Sequence, residues 1–287
     1  MTMAPEQRPG GRMEPPRPAD TVVSVESAWG AIKSTLITGG QIMRFSGQIV
    51  RGLPEVRTFW TEVFRQAAIL ILSSGVIIWV MELVIGMMCG TEAIYTLKQV
   101  GAPIYSGIFN AWCMMREMTP YMWGYILAAK VGCGLVAELG SMRISDEIDA
   151  LEVMGIDSQV YLVGTRVVAA WMSVPFLYAV SLAMMSIGEI LITVYLVGGV
   201  SPGGHNYIFW LYQNPLDYFY SMCKGVAMAT TIVFVGCYYG YTVRGGSVEV
   251  GKATAKSMIL NMIMIHVIGA LGTQLFWGVS PNAPIGN

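Results

Sequence analysis

Five long apolar stretches constrain the fold of this chain more than any other feature of its sequence. An α-helix rises 1.5 Å per residue, so about 20 consecutive apolar residues cross the hydrocarbon core of a bilayer. The stretches that meet this requirement are residues 67–88, 106–140, 162–197, 220–243 and 257–278. The second is too long for one perpendicular crossing, and we expect Pro120 to kink it and leave an outer half-helix before the full span.

The composition is typical of a chain that lies mainly within a lipid bilayer. Hydrophobic residues make up 54% of the sequence and charged residues 12%, and the mean hydropathy is +0.56. Soluble domains carry about a quarter charged residues, roughly twice this share. The sequence therefore predicts an all-α integral membrane protein with five transmembrane helices. A net charge of −1 argues against nucleic acid as a partner.

Catalytic and metal-binding patterns are missing from the sequence. The five cysteines stand singly in apolar segments and His205 and His266 have no neighbouring ligands, so we predict no metal site. No HExxH or GxSxG motif occurs. The run from Gly246 to Lys252 matches the GxxxxGK part of a phosphate-binding loop motif. Ala253 follows, however, where the motif needs a Ser or Thr to hold Mg²⁺. We predict a non-catalytic chain that holds no cofactor of its own.

The residues before the first apolar stretch differ in character from those that follow. Residues 1–21 are rich in proline and predict a disordered cytoplasmic tail. Residues 22–66 alternate apolar and basic residues at near-helical spacing, which predicts an amphipathic helix lying in the membrane interface and broken at Gly39, Gly40 and Pro54. Residues 67–278 then form the membrane core, and 279–287 a short outer tail.

Lysine and arginine are distributed asymmetrically among the connections. They concentrate in the N-terminal segment and in the connections at 143–166 and 244–256, the second of which we expect to be a compact loop. Basic residues favour the cytoplasmic side of a membrane. The N-terminus is therefore predicted to be cytoplasmic and the C-terminus outside, in a multi-pass protein of the inner (plasma) membrane.

A short acidic helix is predicted between the second and third crossings, at residues 144–154. Ile144, Ile148, Leu151 and Gly155 are predicted to lie on one face of it, and four carboxylates cover the rest of its surface. The four are Asp146, Glu147, Asp149 and Glu152. A charged helix on the cytoplasmic side between two spans is a natural contact for a soluble partner.

The same region carries a family signature. The run AELGSMRISDEIDALEVM closely resembles the motif of the MlaE/YrbE permeases, with Asp146 where the family usually has Glu. A second resemblance lies at Gly240, Tyr241, Gly245, Val250 and Gly251, allowing one extra residue in the loop. Together the resemblance covers roughly residues 22–278, and the YYGY run from Tyr238 resembles the actinobacterial YrbE branch.

This resemblance implies a function and a set of partners. The family comprises membrane subunits of ABC-type transporters that move lipids, of the phospholipid, fatty acid, mycolate or sterol class, together with MCE proteins. It implies a second YrbE-type permease forming a heterodimer, a cytoplasmic ATPase dimer that holds ATP and Mg²⁺, and MCE proteins outside. The acidic segment would then be a coupling helix that contacts the ATPase through Arg143, Asp146, Glu147, Asp149, Leu151, Glu152 and Met154.

Four charged residues near the outer ends of the crossings form a second candidate site: Arg116, Glu117, Asp217 and Lys224. Charged side chains in a bilayer normally face a cavity or a partner. Two interpretations stay open, a lipid-headgroup cavity and structural ion pairs between helices. Glu82, Lys130 and Glu189 are further isolated charges in apolar runs.

The alternative function is an ion-coupled secondary transporter that acts without an ATPase, driven through these intramembrane charges. Such carriers usually contain internal repeats. No convincing repeat occurs in this sequence, which favours the ABC-type permease.

Overall fold

The computed structural model describes residues 25–279, with side chains for residue 33 and residues 37–279. Every element in this described part is helical, which confirms the all-α prediction. Contacts divide the chain into two compact units, Met1–Met43 and Arg44–Asn287. The described part of the first unit is the beginning of helix α1, Val25–Gly52, and both candidate sites belong to the second unit. The predicted tails at 1–21 and 279–287 lie almost wholly outside the described residues.

Helix α1 runs through Gly39 and Gly40, so the predicted break at these glycines is wrong. Glycine weakens a helix by about 1 kcal/mol but keeps its backbone N–H donor, whereas proline loses that donor. The helix accordingly ends at Gly52, and a 3₁₀ segment, Leu53–Phe59, contains Pro54. The placement of this region in the membrane interface stays a prediction.

Five helical stretches among the described residues are long and apolar enough to cross a membrane, as predicted. Helix α2 (Trp60–Gln99) lies within the first stretch, and the others are α3 (Pro103–Ile144), α5 (Gln159–Leu196), α7 (Pro215–Tyr241) and α8 (Ser247–Trp277). Two short helices connect them, α4 (Glu147–Val153) between α3 and α5, and α6 (Pro202–Tyr212) between α5 and α7.

Helix α3 continues through Pro120 without a gap, and the kink that would set off an outer half-helix stays a prediction. Its residues Phe109–Met118 form a π-helix, and an α-helical segment, Thr119–Leu127, follows with Pro120 in its first turn. Proline is tolerated there because the ladder changes register at that point. The carbonyl oxygens five and four residues before Pro120, which its missing N–H cannot reach, accept from side chains of α7: that of Met115 from the Ser221 hydroxyl at 2.6 Å and that of Arg116 from the Lys224 ammonium at 2.9 Å.

The predicted loop at 244–256 is also mostly helix, since α8 begins at Ser247. Gly245, with a φ of 106°, and the extended Gly246 turn the chain within two residues. The first turn of α8 is polar and holds an exposed Lys252–Glu249 ion pair of 2.6 Å. The hydropathy of the sequence did not predict this turn as helix, because it lies outside the apolar stretch at residues 257–278.

Small residues let α2 and α5 pack at very short distance. A Cβ atom on Gly86 would collide with the Met185 carbonyl, and one on Gly188 would collide with that of Leu83. Close backbone approach at small residues stabilises helix pairs in membranes, where no hydrophobic effect drives association. Next to this contact, Trp123 of α3 and Tyr178 of α5 are fully buried, with ring centroids 5.5 Å apart in an edge-to-face arrangement.

Candidate functional site

Helix α4 places the acidic segment at one end of the helix bundle. It begins at Glu147 rather than at residue 144, because Asp146 adopts a left-handed conformation (φ 60°) that ends the preceding helix. Ile148 is fully buried and Leu151 packs against the same core, as the helical periodicity predicts. Ile144, by contrast, is the last residue of α3 and is exposed.

Contacts within the chain hold α4 in place. Arg143 at the end of α3 forms an ion pair with Asp149 at 2.6 Å. Glu152 accepts a hydrogen bond from the Ser158 hydroxyl at 2.7 Å and one from the Tyr241 hydroxyl at 3.3 Å. These bonds connect α4 to the start of α5 and the end of α7, so α4 has one defined position relative to the spans.

The surface of α4 that faces away from the core combines charge with apolar exposure. Asp146 and Glu147 are exposed, and the Glu147 carboxylate accepts from the Ser145 hydroxyl at 2.9 Å. Val153 and Met154 are 88% and 65% exposed. Sequence reasoning identified Met154 but missed Val153. The position of Val153 away from the buried face of α4 could have indicated that its side chain is exposed. An apolar tip with carboxylates around it is suited to a groove on another protein.

The second candidate site joins α3, α7 and α8. Arg116 of α3 forms an ion pair with Asp217 of α7, with Nη2 and Oδ2 2.7 Å apart and Nε 3.2 Å from the same oxygen. Trp277 of α8 donates its indole N–H to the other Asp217 oxygen at 2.7 Å. The Arg116 guanidinium also lies 4.9 Å from the ring centroid of Trp112. Asp217 is 1% exposed, so its charge is compensated inside the protein.

Lys224, seven residues after Asp217 in α7, makes a second set of contacts in the same site. Its ammonium donates to the Arg116 carbonyl oxygen at 2.9 Å, to Glu117 at 3.0 Å and to the Thr273 hydroxyl at 2.9 Å. Thr273 in turn donates to the other Glu117 oxygen at 2.7 Å. All three lysine donors therefore have acceptors, although Lys224 is only 1% exposed.

We call Arg116, Glu117, Asp217, Lys224, Thr273 and Trp277 the outer charge cluster. The structure brings together all four charges that the sequence singled out and adds Thr273 and Trp277, which sequence reasoning missed. Their spacing of four residues places both on one face of α8, but nothing in the sequence shows that this face meets Asp217. Only Glu117, whose side chain is 32% exposed, combines a charge with substantial exposure.

The other intramembrane charges have different surroundings. Glu189 accepts from Asn110 at 2.7 Å and lies 3.0 Å from the Nε2 atom of His205, so α3, α5 and α6 meet at one buried carboxylate. Glu82 is fully buried, and neither of its oxygens has a hydrogen-bond partner among the described residues. Lys130, on the other hand, is exposed. In the described part of the chain no group of three potential ligands could hold a metal ion.

Comparison with known proteins assigns this arrangement to a family. The family described as Permease MlaE matches residues 63–275, which include α4 and the whole outer charge cluster except Trp277. The chain belongs to the MlaE permease family. The match begins just after the start of α2 and excludes α1, so the family core is the set of five membrane-length helices with their connections.

Individual relatives of this MlaE-family chain come from bacteria and a plant. A probable ABC transporter permease protein of Rickettsia bellii is 31% identical over 166 residues, 58% of this chain and 64% of the relative. The intermembrane phospholipid transport system permease protein MlaE of Haemophilus influenzae is 25% identical over 232 residues, 79% of this chain and 87% of the relative. The chloroplastic protein TRIGALACTOSYLDIACYLGLYCEROL 1 of Arabidopsis thaliana is 22% identical over 236 residues, 81% and 66% respectively. The chain thus spans somewhat less than two thirds of the Rickettsia relative's length.

Proposed function

We propose that this MlaE-family chain is the transmembrane subunit of an ABC transporter that moves lipid across the cell envelope and leaves ATP hydrolysis to a partner. The observation that carries the proposal is the family match over residues 63–275. Two relatives carry names that agree with it, one an ABC transporter permease and the other a phospholipid transport permease.

The proposed contact with the ATPase is the exposed surface of α4. The surface includes Asp146, Glu147, Val153 and Met154, and the internal bonds of Asp149 and Glu152 fix its orientation. A helix held by its buried face and by side-chain bonds can transmit a displacement to the spans it touches. Closure of an ATPase dimer would thereby shift the equilibrium between two states of the permease that bind lipid differently.

The remaining features of the proposal follow from the family and from the distribution of basic residues. We propose a second YrbE-type permease beside this chain, MCE proteins on the outer side, and an inner-membrane location with the N-terminus in the cytoplasm. The substrate is a lipid of the phospholipid, fatty acid, mycolate or sterol class.

For the outer charge cluster we propose the structural role. Its carboxylates and cations satisfy one another between α3 and α7, and three of the four charged side chains are buried. A headgroup entering this site would have to compete with bonds that are already made.

The decisive experiment co-expresses the chain with its candidate ATPase, reconstitutes both in proteoliposomes and follows a fluorescent phospholipid. We expect ATP-dependent lipid movement that is lost when the ATPase carries a substitution of its catalytic glutamate. Movement driven by an ion gradient without the ATPase would contradict the proposal and support the secondary transporter.

A further inference from the structure

A pocket opens between α2, α3 and α5, and its lining includes no residue of either candidate site. Its volume is about 180 Å³, many times the roughly 10–15 Å³ that one water molecule requires on the same measure. Such a volume accepts a polar headgroup but not a whole lipid. The polar lining residues are Gln66, Ser73, Ser74, Lys130, Glu138 and Arg166.

Apolar side chains alternate with these polar groups along the pocket. Leu70 of α2, Leu135 of α3 and Val233 of α7 form part of the wall. The pocket therefore combines a polar interior with surfaces that acyl chains tolerate.

The pocket lies toward the end of the bundle that carries α4. Gln66 is six residues after the start of α2, and Glu138 is six residues before the end of α3. At 1.5 Å per residue, both lie about 9 Å from their helix ends. Lys130 is 14 residues from the end of α3, or about 21 Å. The pocket thus extends from the level of the headgroups into the hydrocarbon core on the side that we assign to the cytoplasm.

Arg166 supplies one unused donor to this pocket. Its Nη2 atom forms an ion pair with Glu138 at 2.6 Å, and Nη1 donates to the Leu162 carbonyl oxygen at 2.6 Å. Its Nε atom is buried and has no partner among the described residues, although the residue is only 6% exposed. A buried guanidinium donor without an acceptor costs free energy unless a ligand provides one.

Lys130 supplies a second cation. It is exposed although it lies deep in a membrane-length helix, and none of the described residues forms an ion pair with it. A charge at such a depth normally faces a cavity or a partner. Within the lining, Lys130 and Arg166 outnumber Glu138, so the pocket carries an excess of one positive charge.

We infer that this pocket binds the phosphodiester group of an anionic phospholipid of the cytoplasmic leaflet. The Lys130 ammonium provides a charge-assisted bond to a phosphate oxygen, and the Arg166 guanidinium in the lining adds positive charge beside it. Ser73 and Ser74 provide hydroxyls for the glycerol region, and the acyl chains lie along the exposed apolar surface of α2 and α3. The inference requires a membrane-embedded chain, but it goes beyond the proposed function and does not depend on ATP-driven transport.

Lipid retention measures this binding. The full permease complex is placed in nanodiscs containing equal amounts of phosphatidylglycerol and phosphatidylcholine, released into detergent, and its retained lipids are counted by native mass spectrometry. Wild type should retain phosphatidylglycerol in preference to phosphatidylcholine. Lys130→Gln should lower that preference about fivefold, since a basic residue contributes roughly 1 kcal/mol to binding of an anionic lipid. Lys256→Gln, an equally exposed lysine at the same end of the bundle, is the matched control and should have no effect.

A second pair of variants tests the pocket without changing charge. A Cβ atom on Gly134, which lines the pocket, meets nothing within 4 Å, so Gly134→Leu fills the space with no backbone collision. It should reduce the retained phosphatidylglycerol, whereas Gly251→Leu, at an equally open glycine of α8, should not.

Three results would overturn the inference. The first is unchanged retention in Lys130→Gln and Gly134→Leu when both complexes are intact. The second is removal of the lipid from wild type by excess inorganic phosphate, which would indicate a site for the free anion. The third is dissociation of the permease pair by Lys130→Gln with retention per chain unchanged, because the lysine would then face another subunit. None of these results depends on lipid transport, so failure of the proposed function would be seen separately.

Discussion

The outer charge cluster and the exposed surface of α4 use charged residues in opposite ways. In the outer charge cluster the charges lie on two helices far apart in sequence, α3 and α7, and Asp217 and Lys224 are almost completely buried. On α4 the charges come from one short segment, remain exposed, and make their contacts within a few residues or at the adjacent helix ends. Buried pairs cost much to break, while exposed pairs contribute little. From this difference we expect the first set to hold helices together and the second to leave a surface for a partner.

The largest effect is expected when one partner of the buried ion pair is removed. Arg116→Gln leaves Asp217 charged and buried, which typically costs roughly 3–5 kcal/mol. We expect a strong loss of monodisperse protein after detergent extraction and a large fall in the melting temperature, measured by thermal unfolding of the purified chain.

A double variant serves as the control for this prediction. Arg116→Gln combined with Asp217→Asn should be more stable than Arg116→Gln alone, because no uncompensated charge remains. If Arg116→Gln instead folded normally and lost only bound lipid, Arg116 would have the headgroup role and our assignment would be wrong.

A smaller loss of stability is expected for Lys224→Met in the same cluster. The side chain of Glu117 keeps 32% exposure and can turn toward water after the lysine is gone. The cost should then be about 1–3 kcal/mol, the penalty for losing hydrogen-bond partners at a partly buried group. Thermal unfolding of Lys224→Met, measured in parallel with Arg116→Gln, tests the order of the two effects. A loss of stability in Lys224→Met equal to or larger than that in Arg116→Gln would show that the protein prevents Glu117 from turning toward water.

On α4 we expect loss of binding without loss of stability. Val153→Asp places a charge at an apolar side chain that is 88% exposed, so folding should be unaffected. If Val153 enters a groove on the ATPase, affinity should fall by about 1–2 kcal/mol or more, as for interface residues of intermediate importance. Co-purification of the ATPase and lipid-stimulated hydrolysis are the measurements.

The matched control for the ATPase contact is Val248→Asp, another exposed valine (69%) at the α8 end nearest α4 in the predicted topology. It should leave the ATPase bound. Normal stoichiometry of the ATPase with Val153→Asp, together with normal lipid-stimulated turnover, would rule out α4 as the contact.

The smallest effect is expected for Arg143→Gln. The Arg143–Asp149 pair is exposed on both sides, and such pairs contribute about 0–1 kcal/mol. The melting temperature should change little, and the small change should disappear at high salt. A large loss of stability would mean that α4 depends on this ion pair more than on its buried Ile148.

Much of this architecture was predictable from the sequence because its signals are local. Apolar length predicted five crossings, and helical periodicity placed Ile148 on the buried face of α4. The extents of the helices were less predictable, since the first turn of α8 is polar and hydropathy ends before the helix does. The π-helix before Pro120 could not be predicted from the sequence, because the register of the hydrogen-bond ladder there depends on tertiary contacts.

The ion pairs between helices could not be predicted from the sequence. The spacing of Asp217 and Lys224 places them on one face of α7, but Arg116 lies 101 residues before Asp217. Which helices meet at that depth depends on packing of the whole bundle. The sequence also could not predict that the Nε–H donor of Arg166 lacks a partner. That depends on which guanidinium donors bond to Glu138 and to the Leu162 carbonyl in the folded chain.

Helix α3 has a mechanical consequence because it connects the two contrasting regions. Arg116 lies 13 residues after the start of α3, Arg143 lies one residue before its end, and only Ser145 and Asp146 separate α3 from α4. The 27 residues from Arg116 to Arg143 make a rod about 40 Å long. Because no long loop separates α4 from this rod, we expect a displacement of α4 to be passed along it toward the outer charge cluster. The π-helical turn Ala128–Gly132 interrupts the regular α-helical ladder of the rod, and we expect such a lever to bend there.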